Sequence, residues 1–144
     1  MRYKNSLLID APASTVWDLT VDIARWPAFV PTMRRVEPLD PAPLEVGDRA
    51  RVKQPMQPAR VWTVTALEPG RRFTWQSRRG SMTWTAEHEI TEVDDGRCRN
   101  TLRFEATGRG TGLFALLLGA AVRRAIDFEN DSYRKEAERT QSSE

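Results

Sequence analysis

A regular alternation of apolar and polar residues runs over Arg49–Ala106 and constrains the fold of this chain more than any other feature. Successive side chains of a β-strand point to opposite faces, so a period of two indicates strands with one face on a core and one in water. Turn signals at Glu68–Gly70, Gly80 and Asp94–Gly96 separate these segments and indicate hairpins. The middle of the chain is therefore predicted to be an antiparallel meander.

The alternation assigns one face of each strand to the interior. The residues predicted to face inward are Ala50, Val52, Gln54, Met56, Phe73, Trp75, Ser77, Met82, Trp84, Ala86, His88, Ile90, Cys98, Asn100, Leu102, Phe104 and Ala106. Over Arg60–Leu67 the pattern is ambiguous, because the parity of Trp62 and the parity of Val61 both carry apolar residues. The inner face thus combines large aromatic rings with a few polar groups.

Helical patterns flank the strands. After a first strand over Arg2–Ile9, Asp10 and Pro12 provide a cap and a first-turn proline for a helix, and a second short helix is expected near Asp22–Arg25. A long helix is predicted over Leu113–Arg139, with its apolar first half covering the sheet. The predicted fold is α+β, because one strand and two short helices precede about six strands and a single long helix.

Composition excludes several classes of protein. A length of 144 residues suits one domain over residues 1–144, and a net charge of +2 is too small for a dedicated nucleic-acid binder. Cys98 and His88 are the only cysteine and histidine, so neither a disulfide nor a structural zinc site is expected, and no metal or cofactor is predicted. Met1–Asp10 lacks a signal-peptide pattern and the apolar run Leu113–Val122 is too short to span a bilayer, which predicts a cytoplasmic protein without stable membrane insertion.

Several segments together resemble a known superfamily. They read IDAPASTVWDLTVDIARWPAFVP, LEVGDRARV, VTALEPGRRFTW and HEITEVDDGRCRNTLRFEA, and the long terminal helix follows them. On these residues the chain is similar to the START-like (SRPBCC) superfamily, and within it to single domains of the polyketide cyclase/dehydrase type, over about Arg2–Arg139. The resemblance implies a helix-grip fold, in which a curved seven-stranded antiparallel sheet wraps around the C-terminal helix. It also implies a deep cavity between sheet and helix that holds a lipid, a polyketide or another apolar molecule.

The mixture of aromatic and polar inner residues is typical of a small-molecule pocket. The candidate ligand-binding residues are Val52, Gln54, Met56, Trp62, Trp75, Ser77, Trp84, His88, Asn100, Leu102, Phe104, Leu117 and Ala121. The alternative is a solid core in which the same side chains fill the space themselves.

Two of these residues are candidate catalytic groups. His88 is either a hydrogen-bond partner or general acid/base for a ligand oxygen, or a core histidine bonded to a neighbour or to ordered water. Asn100 lies on the neighbouring strand and the same face, so the two side chains are expected to pair if the register permits. His88 would then be a proton shuttle and Asn100 a donor that orients a carbonyl group.

Arginines occur in pairs at Arg34/Arg35, Arg71/Arg72, Arg78/Arg79 and Arg123/Arg124. They could form a patch for an anionic lipid surface or RNA, but acidic residues nearby favour ordinary solvated faces. The glycines of residues 108–112 lack the lysine and Ser/Thr of a phosphate-binding loop and are interpreted as a flexible gate at the cavity mouth.

Three functions are compatible with these features. The favoured one is binding of a hydrophobic small molecule, lipid or polyketide-like, without chemistry. An alternative is an enzyme that resembles polyketide cyclases or aromatases and acts on a cavity-bound poly-ketone. A third is a module that meets a protein or membrane partner through Leu113–Val122. No nucleic-acid partner is expected, and a homodimer is compatible with the sequence.

Overall fold

The computed structural model describes residues 1–55 and 57–142 and confirms the predicted α+β architecture. Its elements are β1 (Arg2–Ile9), α1 (Ala13–Val21), a 3-10 turn (Ile23–Arg25), α2 (Trp26–Phe29), β2 (Arg35–Pro38), β3 (Arg49–Lys53), β4 (Arg60–Glu68), β5 (Arg72–Arg79), β6 (Met82–Asp94), β7 (Arg97–Gly108) and α3 (Thr111–Ser142). The seven strands form one antiparallel sheet in the order β1-β7-β6-β5-β4-β3-β2. The sheet curves around α3, which is the helix-grip arrangement. Met56 lies outside the described residues.

The predicted strand faces are largely confirmed. Phe73, Trp75, His88 and Asn100 are all buried on the inner face, with the intervening residues on the outer one. In β4 the ambiguity resolves in favour of the Trp62 parity. A buried core against the inner face of the sheet follows from this pattern.

The second short helix differs from the sequence prediction. Residues Ile23–Arg25 form only a 3-10 turn, and a four-residue helix follows over Trp26–Phe29, with Pro27 inside its first turn. Proline is tolerated there, because a first-turn backbone nitrogen needs no hydrogen bond within the helix. The turn delivers Trp26 into the core, where its indole Nε1 donates a hydrogen bond to the carbonyl oxygen of Leu19 at 3.1 Å.

The packing of α3 reverses the expectation drawn from its composition. Its charged second half is buried along one stripe that includes Ile126, Tyr133 and Ala137, whereas its apolar first half is largely exposed. The prediction that Leu117 and Ala121 line the interior is therefore wrong, because Leu117 is 69% exposed and Ala121 is also exposed.

The physical reason is the distribution of residue sizes around the first half of α3. Three to four residues separate side chains on one helix face, so Ala115 and Gly119 share the inward stripe of Ile126 and Tyr133. These inward residues are too small to fill the space above the sheet. The large leucines of the first half lie on the opposite side of the helix.

An asparagine network fixes α3 to the two strands beneath it. The Asn130 amide nitrogen donates to the Asn5 Oδ1 of β1 at 2.7 Å and to the Asn100 carbonyl oxygen of β7 at 3.0 Å. The Asn100 amide nitrogen donates in return to the Asn130 Oδ1 at 2.9 Å. Because Asn100 and Asn130 are fully buried, these bonds set both the height and the register of the helix.

Candidate functional site

The space between the sheet and the first half of α3 is only partly filled, and Phe114 of α3 closes one side of it, with its ring centroid 5.4 Å from that of Trp84. Trp84, Ala86 and Phe104 belong to the inner face of the central strands, yet each keeps intermediate solvent exposure. On the helix side, a Cβ atom placed on Gly119 would meet no atom within 4 Å. We call this space the interior cleft, with Trp84, Ala86 and Phe104 as its sheet wall and Ala115 and Gly119 as its helix wall.

A group of ionisable side chains lies at the end of the cleft where α3 meets the sheet. It consists of His88 from β6 and Glu129 and Tyr133 from α3, and we call it the inner polar cluster. The His88 Nε2 lies 4.0 Å from the Glu129 Oε1, and the ring centroids of His88 and Tyr133 are 5.7 Å apart. Glu129 and Tyr133 are one helical turn apart, so both side chains project from the same face of α3.

Aromatic rings surround His88. The centroid of its imidazole is 5.4 Å from that of Trp26 and 5.5 Å from that of Phe73. These rings exclude water from the histidine and supply no hydrogen-bond acceptor. The apolar surroundings therefore penalise every charged form inside the inner polar cluster.

Burial shifts the pKa values of the cluster in opposite directions. It lowers the pKa of His88 to about 3 and raises the pKa of Glu129 to about 7. Burial, and next the nearby Glu129, raise the pKa of the Tyr133 hydroxyl well above its usual value. At neutral pH, His88 is therefore a neutral and weakly basic hydrogen-bond partner, while Glu129 is protonated about half the time, which suits Glu129 to proton transfer.

Three buried polar atoms in this region have no hydrogen-bond partner among the described residues. They are the His88 Nδ1, the Tyr133 hydroxyl oxygen and the Asn100 Oδ1. A buried polar atom without a partner costs about 1–3 kcal/mol. A molecule bound in the cleft could recover this energy through its own oxygen or hydroxyl groups.

A second polar group lies further along the sheet. The Arg60 guanidinium stacks on the ring of Trp84, with its Cζ atom 3.6 Å from the ring centroid, and its Nε donates to the Ser77 Oγ at 3.2 Å. Burial, and next the charge of Arg79, lower the pKa of Arg60 to about 10. No carboxylate of the described chain forms an ion pair with Arg60, so this partly buried cation has no protein counter-ion.

The structure brings most of the predicted ligand residues to one side of the sheet. Those on the inner face are Val52, Trp62, Trp75, Ser77, Trp84, His88, Asn100, Leu102 and Phe104. Gln54 lies beyond the end of β3, where its Oε1 accepts a hydrogen bond from the Gln57 amide at 3.3 Å, and it does not join them. Leu117 and Ala121 lie on the outer side of α3, as described above.

The predicted pairing of His88 with Asn100 is not found. His88 is opposite Leu102 in the β6–β7 register, and Asn100 is opposite Ile90, so the two side chains are two residues out of register. The Asn100 amide nitrogen instead bonds to Asn130. The hydrogen bonds of Asn100 thus hold α3 on the sheet.

Sequence reasoning missed three residues of the site, although each carried a signal. Arg60 has the same strand parity as Trp62 and so faces inward. Glu129 lies one helical turn before Tyr133 on the buried stripe of α3, where a carboxylate is unusual. Tyr133 lies on the same buried stripe, and its hydroxyl group is the polar signal there.

Two surface cavities lie away from this region. One of about 80 Å³ lies beside the 3-10 turn and is lined by Ile23, Pro38 and Leu44 among others. The other, of about 250 Å³, lies at the start of α1 beside Gly70 and Glu89. Neither contains a member of the inner polar cluster.

Comparison with known proteins agrees with this geometry. The family model described as "Polyketide cyclase / dehydrase and lipid transport" matches residues 2–138. The chain belongs to this family. Membership in the polyketide cyclase/dehydrase and lipid transport family confirms the resemblance found in the sequence.

A curated relative of this chain is a protein of Streptomyces halstedii that is named as a candidate polyketide cyclase. It is 35% identical over 63 residues, which cover 42% of this chain and 54% of that protein. The match therefore spans about half the length of this relative.

Solved structures extend the likeness in fold. An aromatase/cyclase from Streptomyces sp. R1128 superposes with a TM-score of 0.79 at 20% identity, covering 96% of this chain and 94% of its own. A START superfamily protein of Mycobacterium smegmatis gives a TM-score of 0.75 at 10% identity, covering 96% and 98%. At these identities the likeness shows the helix-grip fold alone.

Proposed function

We propose that this protein binds an elongated apolar molecule in the interior cleft, with an oxygen-bearing end against the inner polar cluster. The observation that carries the proposal is the pair of buried, unpartnered polar atoms, His88 Nδ1 and the Tyr133 hydroxyl oxygen, set among aromatic rings. Such atoms are costly unless something bonds to them. A ligand carbonyl or hydroxyl group supplies that bond.

The spacing of the two polar groups supports an elongated ligand. Phe73 pairs with His88, and Ser77, which bonds to Arg60, lies four residues further along β5. Four residues of a strand extend about 13 Å. Aromatic side chains line the inner face between these points, so the ligand class is an extended or polycyclic apolar molecule with oxygen groups, as in lipids and polyketides.

Filling the cleft tests the proposal directly. A Gly119→Phe variant places a ring in the open space beneath α3, and its helical backbone needs no unusual torsion angle. We expect this variant to lose at least about tenfold in affinity for an apolar fluorescent probe such as 1-anilinonaphthalene-8-sulfonate. Binding is measured by probe fluorescence and by native mass spectrometry of the purified protein.

The matched control is Ala120→Phe, one residue along the same helix and exposed to solvent. It adds an identical ring outside the cleft, so its affinity should equal that of the wild type. If both variants bind like the wild type, or if the wild type binds no apolar probe, the proposed cleft is not a ligand site.

A second candidate function is proton-transfer chemistry on a bound ketone, as the polyketide cyclase/dehydrase family name suggests. The favouring observation is the 4.0 Å approach of His88 to Glu129, with a neutral imidazole beside a carboxyl group that titrates near neutrality. The carboxylate form of Glu129, whose pKa of about 7 matches neutral pH, would remove a proton from the carbon between two carbonyl groups. Protonated Glu129 would then deliver a proton to the oxygen that gains negative charge in ring closure.

Hydrogen–deuterium exchange of a 1,3-diketone distinguishes this chemistry from simple binding. The wild type should accelerate exchange of the central protons in deuterated water, as followed by NMR. Glu129→Gln should lower that acceleration by about 10²-fold, the usual contribution of one general acid or base, and His88→Ala, which removes the group beside Glu129, should also lower it. Binding without accelerated exchange in the wild type would leave ligand binding as the function and exclude the chemistry.

A further inference from the structure

The first half of α3 presents an apolar surface to solvent. The largest exposed side chains are Leu113 at 63%, Leu116 at 80% and Leu117 at 69% exposure, and Phe128 is 46% exposed one turn beyond Arg124. Together with Ala120 and Ala121 they lie on one side of the helix, opposite the buried stripe. We call these six residues the leucine face. Apolar residues grouped in this way usually mark an interaction surface.

Positive charge surrounds the leucine face. Arg109 comes two residues before α3, Arg124 follows the leucines on the helix itself, and Arg79 ends β5. All three arginines are exposed, and none forms an ion pair with a carboxylate among the described residues. We call them the arginine rim.

Strand pairing brings β5 and the start of α3 to the same end of the molecule. Arg79 is opposite Met82 across the β5–β6 hairpin, and Met82 is opposite Gly108 at the end of β7. A Cβ atom on Gly110 would lie 3.5 Å from the Met82 Cε. Arg79 and Arg109 therefore lie at the same end of the molecule.

Negative charge is missing from this surface. Between Glu105 and Asp127 the sequence contains no acidic residue. The Asp127 carboxylate is already occupied, because its Oδ1 accepts hydrogen bonds from the Tyr3 hydroxyl group at 2.6 Å and from the Asn5 amide at 2.8 Å. No ion pair with a carboxylate of the described residues therefore neutralises the arginine rim.

We propose that the leucine face docks on a bilayer surface rich in anionic lipids, with the arginine rim contacting the headgroups. An exposed apolar helix face with flanking arginines has the properties of an interfacial helix, which lies in the plane of the bilayer surface. Within the described residues, no helix is both long and apolar enough to cross a membrane, so docking is peripheral. Because Gly119 lies on the opposite side of the same helix, a docked molecule holds its interior cleft close to the lipid surface.

Charge favours an anionic bilayer over a second copy of the chain as the partner of the leucine face. In a two-fold symmetric dimer the same patch meets itself, which would bring two arginine rims together without carboxylates to neutralise them. An anionic bilayer supplies both an apolar phase for the leucines and negative charge for the arginines. The proposal goes beyond ligand binding and does not depend on which molecule occupies the cleft.

Vesicle flotation tests the docking surface. The probes are phosphatidylcholine vesicles with and without about 30% phosphatidylglycerol. We expect the wild-type protein to float with the anionic vesicles, not with the neutral ones, and to be released by about 0.5 M NaCl, at which exposed charges are screened. A Leu116→Gln/Leu117→Gln variant should bind at least about tenfold more weakly, since its apolar anchor is lost.

The charge contribution is measured with an Arg79→Gln/Arg109→Gln/Arg124→Gln variant. Each arginine near an anionic surface contributes about fivefold in binding, so this variant should lose about 10²-fold. Matched controls are Val93→Gln for the leucines and Arg34→Gln/Arg99→Gln for the arginines, all of which change exposed residues elsewhere on the molecule. The controls should bind like the wild type.

Three results would overturn the proposal. The first is absence of wild-type flotation with anionic vesicles at low salt. The second is equal flotation of the leucine variant and the wild type. The third is a concentration-dependent dimer in sedimentation analysis that Leu116→Gln/Leu117→Gln dissociates while no vesicle binding occurs, which would assign the leucine face to a second copy. Circular dichroism spectra of all variants establish that each one is folded.

Discussion

Glu129 affects the stability of this protein and also takes part in its proposed chemistry. Its side chain is only 14% exposed, and the nearest basic group, His88, is neutral at physiological pH because its pKa is about 3. Above pH 7 the folded protein must therefore hold a carboxylate with no cation beside it. Burying such a charge opposes folding.

The pH dependence of stability follows from the pKa of Glu129. Because this pKa is about 7 when folded and 4.5 ordinarily, folding is increasingly disfavoured as pH rises from about 4.5 through 7. Glu129→Gln removes this loss, so it should be more stable than the wild type at pH 8 by up to about 3 kcal/mol, with little difference at pH 4. Urea denaturation of both proteins between pH 4 and pH 8 measures the difference.

The control for this prediction is Glu45→Gln, which changes an exposed carboxylate. Because Glu45 is exposed, its replacement should change the free energy of unfolding by less than about 0.5 kcal/mol. A wild-type stability that rises between pH 5 and pH 8 relative to Glu129→Gln would mean that Glu129 is ionised and stabilised in the folded protein. His88 affects stability at acidic pH, because its lowered pKa makes the folded protein less stable as the pH falls from about 6.5 toward 3.

The sequence predicted which face of the sheet each side chain occupies better than it predicted which residues that side chain contacts. Strand parity placed His88, Asn100 and Trp75 on the inner face, because a period of two leaves no other choice once one face is buried. Parity contains no information on register, however, so the offset between His88 and Asn100 could not be predicted. The partner of His88 comes from α3, whose rotation depends on tertiary packing.

At the scale of secondary-structure elements, the asparagine network attaches α3 to β1 and β7. Asn130→Ala removes four hydrogen bonds, to the Asn5 Oδ1, the Asn5 carbonyl oxygen, the Asn100 carbonyl oxygen and the Asn100 amide, and leaves their buried partners unsatisfied. We expect a loss of about 2–4 kcal/mol in the free energy of unfolding. Urea denaturation at neutral pH measures it.

Arg124→Ala is the matched control on the same helix, since Arg124 is exposed and forms no ion pair with a described residue. It should change the free energy of unfolding by less than about 0.5 kcal/mol. A similar small change for Asn130→Ala would show that α3 is held by apolar packing alone.

The burial of α3 could not be predicted from its composition. An apolar first half and a charged second half normally indicate that the first half is buried, because apolar area is the main source of stability. Here the sizes of the inward-facing residues decide which half of α3 is buried. Small residues such as Gly119 leave the first half with few contacts to the sheet besides that of Phe114 with Trp84, while Tyr133 and Asn130 fix the second half despite the charges around them.

At the scale of the whole molecule, one core joins the N-terminal and C-terminal elements. The same buried cluster contains Ile9 of β1, Val16 of α1, Phe73 of β5 and Tyr133 of α3. No element can leave this core without exposing the others, so a single cooperative unit is expected over the chain. This is the structural basis for predicting one domain over residues 1–144.

We therefore predict that the protein unfolds cooperatively. Tryptophan fluorescence reports on the core around Trp26 and Trp75, and far-ultraviolet circular dichroism reports mainly on the helix α3. The two signals should give the same urea midpoint, because neither the core nor the helix is stable alone. Circular dichroism lost at clearly lower urea than fluorescence would identify α3 as a separate unit and contradict the prediction.

The division of α3 into a fixed half and an open half has a consequence for evolvability. Substitutions at Ala115 or Gly119 alter the shape of the cleft, whereas Asn130, Tyr133 and Ala137 hold the helix in place. Under the proposed function, selectivity and foldability are thus encoded in successive turns of one helix. Descendants of a chain that binds ligands in this cleft could then acquire new small-molecule preferences by mutation in the first half without approaching the threshold at which the protein ceases to fold.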